Sequence, residues 1–554
     1  MKKITLVISF SCIAFCVKSQ WNSNPSVNNI VSNKTGTEYN LEVSVPDGAN
    51  GSIVFLGNYD GGIYAQRINN NGNVVWGSST NPLTICNTVG YQTDVFAISD
   101  GAGGAFVSWT DYGHDEYLGE IYLQKISPAG AVQWTANGVR VTNISRDDFS
   151  PLICPDGLGG VILSWYGDDT LAKNIQSYAQ RYNSAGVAQW TANGIQVCTA
   201  PGFRASSSIV PDGANGAFIF FLDTRNDPHG LDYDYLNDNE LTNSDIYGQR
   251  LNASGTRLWG NNGLPIITAP GNQNDDINRD AIPDGSGNTI LVFDDGRNDD
   301  GEYTNYDIYA QKVNSNGIPQ WTANGIAVCT AAGNQFVNGV ATDGAGGVIV
   351  SMDYEADFNR LYAQRVTASG AVSWTAGGVA VSPAGVEVYD GTLAADGNGN
   401  SIFSYDVAGS SLLKAQKLNA AGVLQWGAAG TTVCNMPQAY PNQPSITLSD
   451  AGSVIIAWSD GRNMATPSEL DVYASKILAT GVLAGSASTG YTTIANGNWS
   501  NPAIWSGGAV PPAGAVVVIR HNVTGNINTS CATVTVETPG VLTVNPGIVI
   551  NITN

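Results

Sequence analysis

Basic residues are scarce in this chain of 554 residues, which has 24 lysines and arginines against 46 aspartates and glutamates and a formal net charge of −22. A chain with this balance repels phosphate backbones and anionic membranes, which argues against a nucleic-acid partner. Cations, cationic surfaces and neutral sugars are easier partners. The alternative is that the acidity only keeps a large protein soluble.

Apolar residues at helical spacing never extend beyond two turns, although 43% of the residues are hydrophobic. This excludes helical bundles and helical solenoids, whereas the 65 glycines and 23 tyrosines fit a turn-rich all-β protein. The N-terminal apolar stretch is too short to span a bilayer. Together with Lys2 and Lys3 before it, and Val17 and Ser19 at the cleavage positions, it predicts a signal peptide over residues 1–19. We therefore expect a secreted or cell-surface protein with no transmembrane segment after cleavage.

Cysteine and histidine do not occur in patterns that bind zinc or support nucleophilic catalysis. No CxxC spacing is present, and the three histidines, His114, His229 and His521, lie near no serine or cysteine nucleophile motif. Four cysteines occupy the same place in four separate repeats and are too far apart for disulfides. We expect them to be small buried residues: Cys86, Cys198, Cys329 and Cys434.

What the chain does contain is an eightfold repeat. Each unit has a turn that begins with aspartate, an apolar run and a segment similar to Tyr-Ala-Gln-Arg, and a tryptophan recurs once per period. The tryptophans recur from Trp21 to Trp426 with a mean period of about 58 residues. The turn aspartates are Asp47, Asp100, Asp156, Asp212, Asp284, Asp343, Asp396 and Asp450.

One unit, residues 336–374, shows the expected strands. It predicts an inner strand A over 336–342, B over 348–352, C over 361–366 and D over 371–374. Four antiparallel strands at this period are typical of a β-propeller blade. The sequence predicts an all-β protein with a propeller of eight blades, with seven as the alternative. A β-helix is less suitable because its rungs are shorter than this repeat.

The two ends of the repeat region complement each other. The eighth unit lacks its tryptophan, and Trp21 has no strand before it, so the segment Trp21–Val31 is predicted to complete the last blade. The propeller would then occupy residues 20–485, followed by a small-residue linker at 486–490. Residues 491–554 contain short β-segments that fit a small β-solenoid or sandwich. They end without an evident cap, which indicates a truncated domain.

Features that recur in every unit are expected to be scaffold. The tryptophans would pack between neighbouring blades, since burying one removes about 150–250 Å² from water. The arginine or lysine that ends each Tyr-Ala-Gln-Arg segment would pair with the acid just before the same strand, as in Asp245, Asp307 or Asp471. Functional residues are therefore sought where the repeat is broken.

The repeat is broken most by two long acidic B–C loops, residues 223–245 and 294–307, with Asp275, Asp276 and Asp280 in the connection between them. Clustered carboxylate and amide oxygens suit calcium, although the spacing is not that of an EF-hand. The alternative is a solvated loop in which arginines pair locally within the recurring D-x-R-N. The candidate calcium or ligand residues are Asp223, Asn226, Asp227, Asp294, Asp295, Asn298 and Asp299.

The amino-acid sequence of the units, such as IYAQKVNSNGIPQWTANGIAVCTAAGNQ at 308–335, resembles propeller-type repeats of secreted and surface proteins of Bacteroidetes. It also distantly resembles delta-sixty repeats. The segment NGNWSNPAIWSGG at 496–508 resembles modules that precede type IX secretion sorting domains. The resemblance covers about residues 20–485 and implies an exported repeat protein.

Three functions follow from these patterns. The first is a non-catalytic exported propeller that binds a glycan, a protein or a surface, with calcium as a candidate aid and no required cofactor. The second is a secreted polysaccharide hydrolase or lyase that uses paired carboxylates of the acidic loops. The third is a structural spacer of a surface protein.

Overall fold

The structure is a computed structural model. It describes residues 21–552 except the segments 34–38, 59–60, 114–117, 170–173, 228–242, 274–280, 300–303, 358, 464–469, 486–490, 507–509, 512–514 and 538. The predicted signal peptide and linker lie outside these residues. Among the residues described, no helix is long and apolar enough to cross a membrane.

Eight four-stranded antiparallel sheets form a β-propeller, which confirms the predicted fold and blade number. Blade one comprises β2 (Tyr39–Pro46), β3 (Ser52–Asn58), β4 (Ile63–Ile68) and β5 (Leu83–Cys86). Blade two comprises β6 (Gln92–Ser99), β7 (Ala105–Asp111), β8 (Glu120–Ile126) and β9 (Val139–Arg140). Blade three comprises β10 (Asp147–Pro155), β11 (Val161–Asp169), β12 (Asn174–Tyr182) and β13 (Ile195–Gln196). Blade four comprises β14 (Arg204–Pro211), β15 (Ala217–Asp223), β16 (Asp245–Leu251) and β17 (Leu264–Ile267). Blade five comprises β18 (Ala281–Pro283), β19 (Thr289–Asp295), β20 (Asp307–Val313) and β21 (Ile326–Cys329). Blade six comprises β22 (Gln335–Thr342), β23 (Val348–Tyr354), β24 (Arg360–Val366) and β25 (Val379–Ala380). Blade seven comprises β26 (Val388–Ala395), β27 (Ser401–Val407), β28 (Leu413–Leu418) and β29 (Thr431–Cys434). Short 3-10 helices span Glu355–Asp357, Asp450–Gly452 and Pro502–Ile504.

The eighth blade joins the two ends of the ring. Its strands β30 (Asn442–Leu448), β31 (Val454–Asp460) and β32 (Asp471–Ile477) are completed by β1 (Asn29–Ser32), which pairs antiparallel with β32. The first strands of all eight neighbouring blade pairs are in contact, so the ring is closed. The predicted completion of the last blade by the N-terminal segment is confirmed.

Each repeated tryptophan contacts the next blade. The Trp76 indole donates to the Pro128 carbonyl at 3.2 Å, and Trp21 donates in the same way to Asn70 at 2.7 Å. The following turn carries a glycine with positive φ against which the ring packs; a Cβ at Gly130 would lie 2.5 Å from Trp76. Trp21 therefore takes the place that the eighth unit leaves empty.

The predicted fourth strand is wrong. In blade six the segment 371–374 makes only a single bridge, Val366 to Val372, and the fourth strand is β25. The buried Gln364 explains the difference, because its side chain accepts from the Trp374 amide at 3.0 Å and donates to the Thr375 carbonyl at 2.8 Å. These bonds hold the tryptophan segment in a tight turn, and the chain pairs again only afterwards.

The predicted partner of the recurrent cation is also wrong. Arg181 pairs with the turn aspartate Asp156 at 2.9 Å rather than with an acid before its own strand. Because B and C are antiparallel, the end of C lies beside the A–B turn. Arg181 also donates to the Ala253 carbonyl of the next blade, the same oxygen that receives the Trp190 indole. Corresponding pairs of Arg or Lys with the turn aspartate occur at Asp47, Asp100, Asp212, Asp284, Asp343 and Asp450.

The four repeated cysteines are buried and free, as predicted. Burial is the main reason why the thiol pKa is raised at Cys86, Cys329 and Cys434. They act as small core residues at the outer edge of their blades.

A second compact unit spans Gly485–Asn554. Its strands pair in parallel, which is the stacking of solenoid rungs rather than of a sandwich. One ladder contains β33 (Tyr491–Thr492), β35 (Ala515–Ile519), β37 (Thr529–Val536) and β39 (Ile550–Ile552), and the other β34 (Gly497–Asn498), β36 (Asn522–Gly525) and β38 (Val541–Val544). The core contains Trp499 and Trp505, whose ring centroids are 5.0 Å apart.

Candidate functional site

The predicted acidic residues of blade four form a buried ion-pair cluster. The Asp223 carboxylate accepts from Arg204 Nε at 2.7 Å, and both side chains are 0% exposed. Arg225 also pairs with Asp223 and lies over the Tyr247 ring, 3.9 Å from its centroid. Asp223 is thus already neutralised by two arginines.

The D-x-R-N motif repeats this arrangement in blades five and eight. Arg297 pairs with Asp295 and lies 3.7 Å from the Tyr309 centroid, and Arg462 lies 3.9 Å from that of Tyr473. The motif asparagines donate to the acid that starts strand C: Asn226 to Asp245 at 2.6 Å, Asn298 to Asp307 at 2.7 Å and Asn463 to Asp471 at 2.8 Å. Local pairing, the alternative to calcium, accounts for these contacts.

The remaining candidates also bond to the protein. Each accepts a hydrogen bond from a backbone amide. Asp227 accepts from Asn243 at 2.6 Å and Asp299 from Thr304 at 2.9 Å. Asp294 accepts from Val337 of the next blade at 3.0 Å. Within the described part of the chain, no group of three or more His, Cys, Asp or Glu residues could hold a metal. Asp275, Asp276 and Asp280 lie outside that part, so calcium binding in this sector stays a prediction.

A different feature was not anticipated from the sequence: a cavity of about 930 Å³ at the axis of the ring. It lies along the inner strands β2, β22, β26 and β30, in blades one, six, seven and eight. It is placed near the starts of those strands and the ends of β23 and β27, which is the side where the B–C loops emerge. Its polar side chains are Glu42, Asn338, Asp353, Asn359, Tyr389, Thr392, Asp406, Asn442, Gln443 and Ser445.

β-Bulges direct part of this lining. The inner strand bulges near its start in seven blades, and the cavity is bordered by the bulges at Leu41/Val43, Val337/Gly339, Tyr389/Thr392 and Asn442/Ser445. A bulge inserts an extra residue and re-aims its side chain. Glu42, Asn338 and Gln443 are the residues inserted in this way, and Gln443 has a φ of 49°. Three polar side chains therefore break the alternation of strands that would otherwise present apolar residues.

The cavity is acidic and has one exposed aromatic ring. Its described lining includes Glu42, Asp353 and Asp406 but no lysine, arginine or histidine. Tyr389 is 48% exposed and donates to Glu387 at 3.1 Å, a contact that raises the pKa of the phenol. Two buried amide atoms, Asn338 Nδ2 and Asn442 Oδ1, have no hydrogen-bond partner among the described residues. Carboxylates, amides and an aromatic face converge here on one concave surface.

The sequence signal for this site was weak. A single polar residue inside an alternating strand, as in Asn40–Pro46 or Phe336–Thr342, fits an ordinary solvent-facing position equally well. Most of the acids that break the repeat lie in the long loops of blades four and five, whereas the cavity is lined by blades one, six, seven and eight. Only the pairing of two strands reveals which residue is the inserted one.

No protein-family model and no curated protein matches the chain. Similar solved structures include a puromycin hydrolase (12% identity, TM-score 0.42, 78% of this chain and 62% of that chain), the PL25 ulvan lyase (11%, 0.41, 81% and 96%) and the BP39L lectin from Burkholderia pseudomallei (11%, 0.42, 73% and 100%). The chain spans less than two thirds of the puromycin hydrolase. Likenesses at this level carry no argument about chemistry, so the function is argued from the cavity.

Proposed function

We propose that the protein is an exported, non-catalytic propeller that binds a glycan in the axial cavity. The observation that carries the proposal is the convergence of bulge-directed polar side chains and Tyr389 on a cavity of about 930 Å³. Sugar hydroxyls pair with amide and carboxylate groups, and sugar rings pack on aromatic faces. Export is proposed from the N-terminal segment alone.

Rigid placement supports binding in this cavity. Glu42 and Asn338 are held between paired residues on both sides of their bulges, Leu41 and Val43 in β2 and Val337 and Gly339 in β22, so little conformational entropy is lost when a ligand binds. Across the seam between blades one and eight, Ser44 and Ser445 hydroxyls are 2.7 Å apart, and Ser44 also contacts Thr447 at 2.9 Å. These bonds hold the wall of the cavity without using the lining carboxylates.

A glycan array of the mature chain tests the proposal. Wild type should retain specific glycans, and Tyr389→Ala should lose most of the signal because the aromatic face is removed. Tyr440→Ala is the matched control, since Tyr440 is 59% exposed and does not line the cavity. Absence of any retained glycan, or equal loss in both variants, would refute the proposal.

Release of oligosaccharide products from a retained glycan would instead favour the hydrolase or lyase alternative. That activity would use two of the three cavity carboxylates, Glu42, Asp353 and Asp406. Loss of product in Asp353→Asn with retained binding would assign catalysis. Retention of both product release and glycan binding in Asp353→Asn would exclude Asp353 as a catalytic residue.

Calcium remains a proposal for the acidic loops of blades four and five. A ligand at 100 times its Kd stabilises a fold by about 2.7 kcal/mol. The melting temperature in calcium chloride should therefore exceed that in sodium chloride of equal ionic strength. The double variant Asp227→Asn, Asp299→Asn should show no such difference. Equal melting temperatures in the two salts would exclude calcium.

A further inference from the structure

One wall of the axial cavity narrows the class of glycan. We propose that the seam between blades six and seven, where β22 contacts β26, holds an acetamido group of the ligand. The cavity then selects N-acetylated glycans over counterparts that carry a hydroxyl at the same carbon. This inference rests on the proposed function, because it specifies the ligand of the same cavity. Three features of the seam carry it: a buried amide donor, open space beside a glycine, and an apolar wall.

Asn338 provides the donor. It is the residue inserted at the bulge of β22, and its Nδ2 atom is buried without a hydrogen-bond partner among the described residues. The amide lies at the seam, because a Cβ built on Gly391 of blade seven would be 3.2 Å from Asn338 Nδ2. An amide N–H that loses water without gaining an acceptor destabilises the fold. A ligand carbonyl at this seam would supply the acceptor.

Two glycines shape the space around this amide. At Gly391 a Cβ would also lie 2.9 Å from Leu361 Cδ1, so a side chain there would displace the Asn338 amide. Gly339 lines the cavity next to Asn338, and among the described residues its Cβ would meet only Ser351 Oγ, at 3.8 Å. Gly391 thus admits the amide to the seam, and Gly339 leaves room beside it for a ligand group.

The position of Gly339 is filled by larger residues in other blades. The residue that resumes pairing after the bulge is Phe96 in blade two and Leu152 in blade three. In blades six, seven and eight it is Gly339, Thr392 and Ser445, all of which line the cavity. Blades six to eight therefore leave space where blades two and three place a large side chain.

The neighbours of this space suit a methyl group. Val340 and Leu393 line the cavity and are only partly buried, and Tyr389 adds an aromatic face that is 48% exposed. An acetamido group combines a carbonyl acceptor and a methyl in one planar unit. It can therefore accept from Asn338 Nδ2 while its methyl is removed from water. A hydroxyl can accept the same bond, but it leaves the apolar space beside Gly339 without a partner.

The test compares two tetramers with the same linkage, tetra-N-acetylchitotetraose and cellotetraose, by calorimetry with the mature chain. They differ at one carbon of each sugar, which carries an acetamido group in the first and a hydroxyl in the second. We expect the acetylated tetramer to bind at least about tenfold more tightly, because only its acetamido group both accepts from the buried donor and fills the apolar space.

Two variants locate the acetamido group. Asn338→Asp keeps the size of the side chain and removes the donor, so it should reduce affinity for the acetylated tetramer by about tenfold and leave that for cellotetraose unchanged. Gly339→Val fills the space beside the amide and should abolish the preference for the acetylated tetramer. Asn71→Asp is the control for the added charge, since Asn71 is exposed and does not line the cavity.

Equal affinity for the two tetramers, or tighter binding of cellotetraose, would overturn the acetamido inference and leave the glycan proposal intact. So would failure of the acetylated tetramer to bind while the array retains other glycans. An equal loss in Asn71→Asp would reduce the effect to charge and overturn the inference. An unchanged preference in both Asn338→Asp and Gly339→Val would also overturn it. Failure of every glycan to bind would overturn both proposals.

Discussion

A few polar side chains connect each blade to the next. The carbonyl of Ala253 receives both the Arg181 guanidinium and the Trp190 indole of the preceding blade. The same double acceptance occurs at Pro128, Ser315 and Ala420. Because one oxygen fixes two large side chains, the turn that carries it must approach them closely. This explains why glycine follows in that turn.

Gly130→Ala tests this close approach. The added methyl would meet Trp76 at 2.5 Å and force a backbone with φ of +77° on a residue with a Cβ. Gly101→Ala has a similar φ of +72° but nothing within 4 Å, so it carries only the backbone cost. We expect Gly130→Ala to lower the free energy of unfolding by about 1–3 kcal/mol more than Gly101→Ala in urea denaturation. Equal losses would show that the tryptophan yields without cost.

Asp245 gives a prediction about pH. Burial raises its pKa to about 6, although the Asn226 hydrogen bond opposes the rise. The folded state therefore holds this proton more tightly than the unfolded chain, so ionisation costs stability as pH rises from about 4 to about 6. We expect Asp245→Asn to gain stability relative to wild type over this range.

Asp284 is the control of opposite sign. Burial alone would raise its pKa, but hydrogen bonds from Asn288 and Lys312 lower it to about 2. Its charge stabilises the fold above pH 4 and loses that effect as pH falls toward 2. Asp284→Asn should therefore lose stability at neutral pH, measured by urea midpoints at pH 4 and pH 7. Parallel pH profiles for the two variants would contradict the assignment.

At the scale of elements, the repeat predicted most of each blade. The turn aspartates, the apolar B strands and the tryptophan period are local signals, and they led to eight blades and to the closing segment before Asn33. The fourth strand failed because β25 has only two residues and its start is set by the Gln364 side chain, which bonds to residues ten and eleven positions later. The bulges were not predicted for a similar reason, since an inserted residue is defined only by its pairing with the partner strand.

Closure by β1 can be tested by deletion. A chain that begins at Asn33 lacks the partner of β32 and loses Trp21 and Val31, which are 4% and 0% exposed. We expect a large fall in the urea midpoint and increased cleavage by protease, because an unpaired edge and an apolar face become exposed.

A synthetic peptide of residues 20–34 should restore the midpoint when added in trans. The same peptide with Val31→Asp should not, since it would bury an unpaired carboxylate. An unchanged midpoint in the deleted chain would show that the ring is stable without its closing strand. Equal rescue by both peptides would contradict strand pairing as the cause.

At the scale of the whole molecule, charge is the dominant property. A net charge of −22 makes the folded chain repel itself, and salt screens that repulsion over a distance of about 8–10 Å at ordinary ionic strength. We expect the melting temperature to rise between 10 and 300 mM sodium chloride. A fall over this range would show that attraction between exposed opposite charges, such as Arg520 with Glu537, outweighs the overall repulsion, since salt screens exposed pairs far more than buried ones.

The functional site was not predictable from the sequence at this scale. The acids at 223–245 and 294–307 were the most conspicuous departure from the repeat, yet those that the structure describes are held by arginines, asparagines or backbone amides. The cavity instead forms where four blades meet around the axis. Its side chains are hundreds of residues apart along the chain, and no local pattern relates Glu42 to Asp406.

The pairing of β1 with β32 also has a consequence for how the protein is made. Asn29 meets Ala474, so the first strand to leave the ribosome waits for nearly the last part of the ring to be synthesised. Contacts this distant in sequence make folding slow, because the loop entropy is lost before the pairing is gained. A chain that is cut short or still emerging cannot close. Closure of the ring therefore has to follow the synthesis of β32 in the eighth blade.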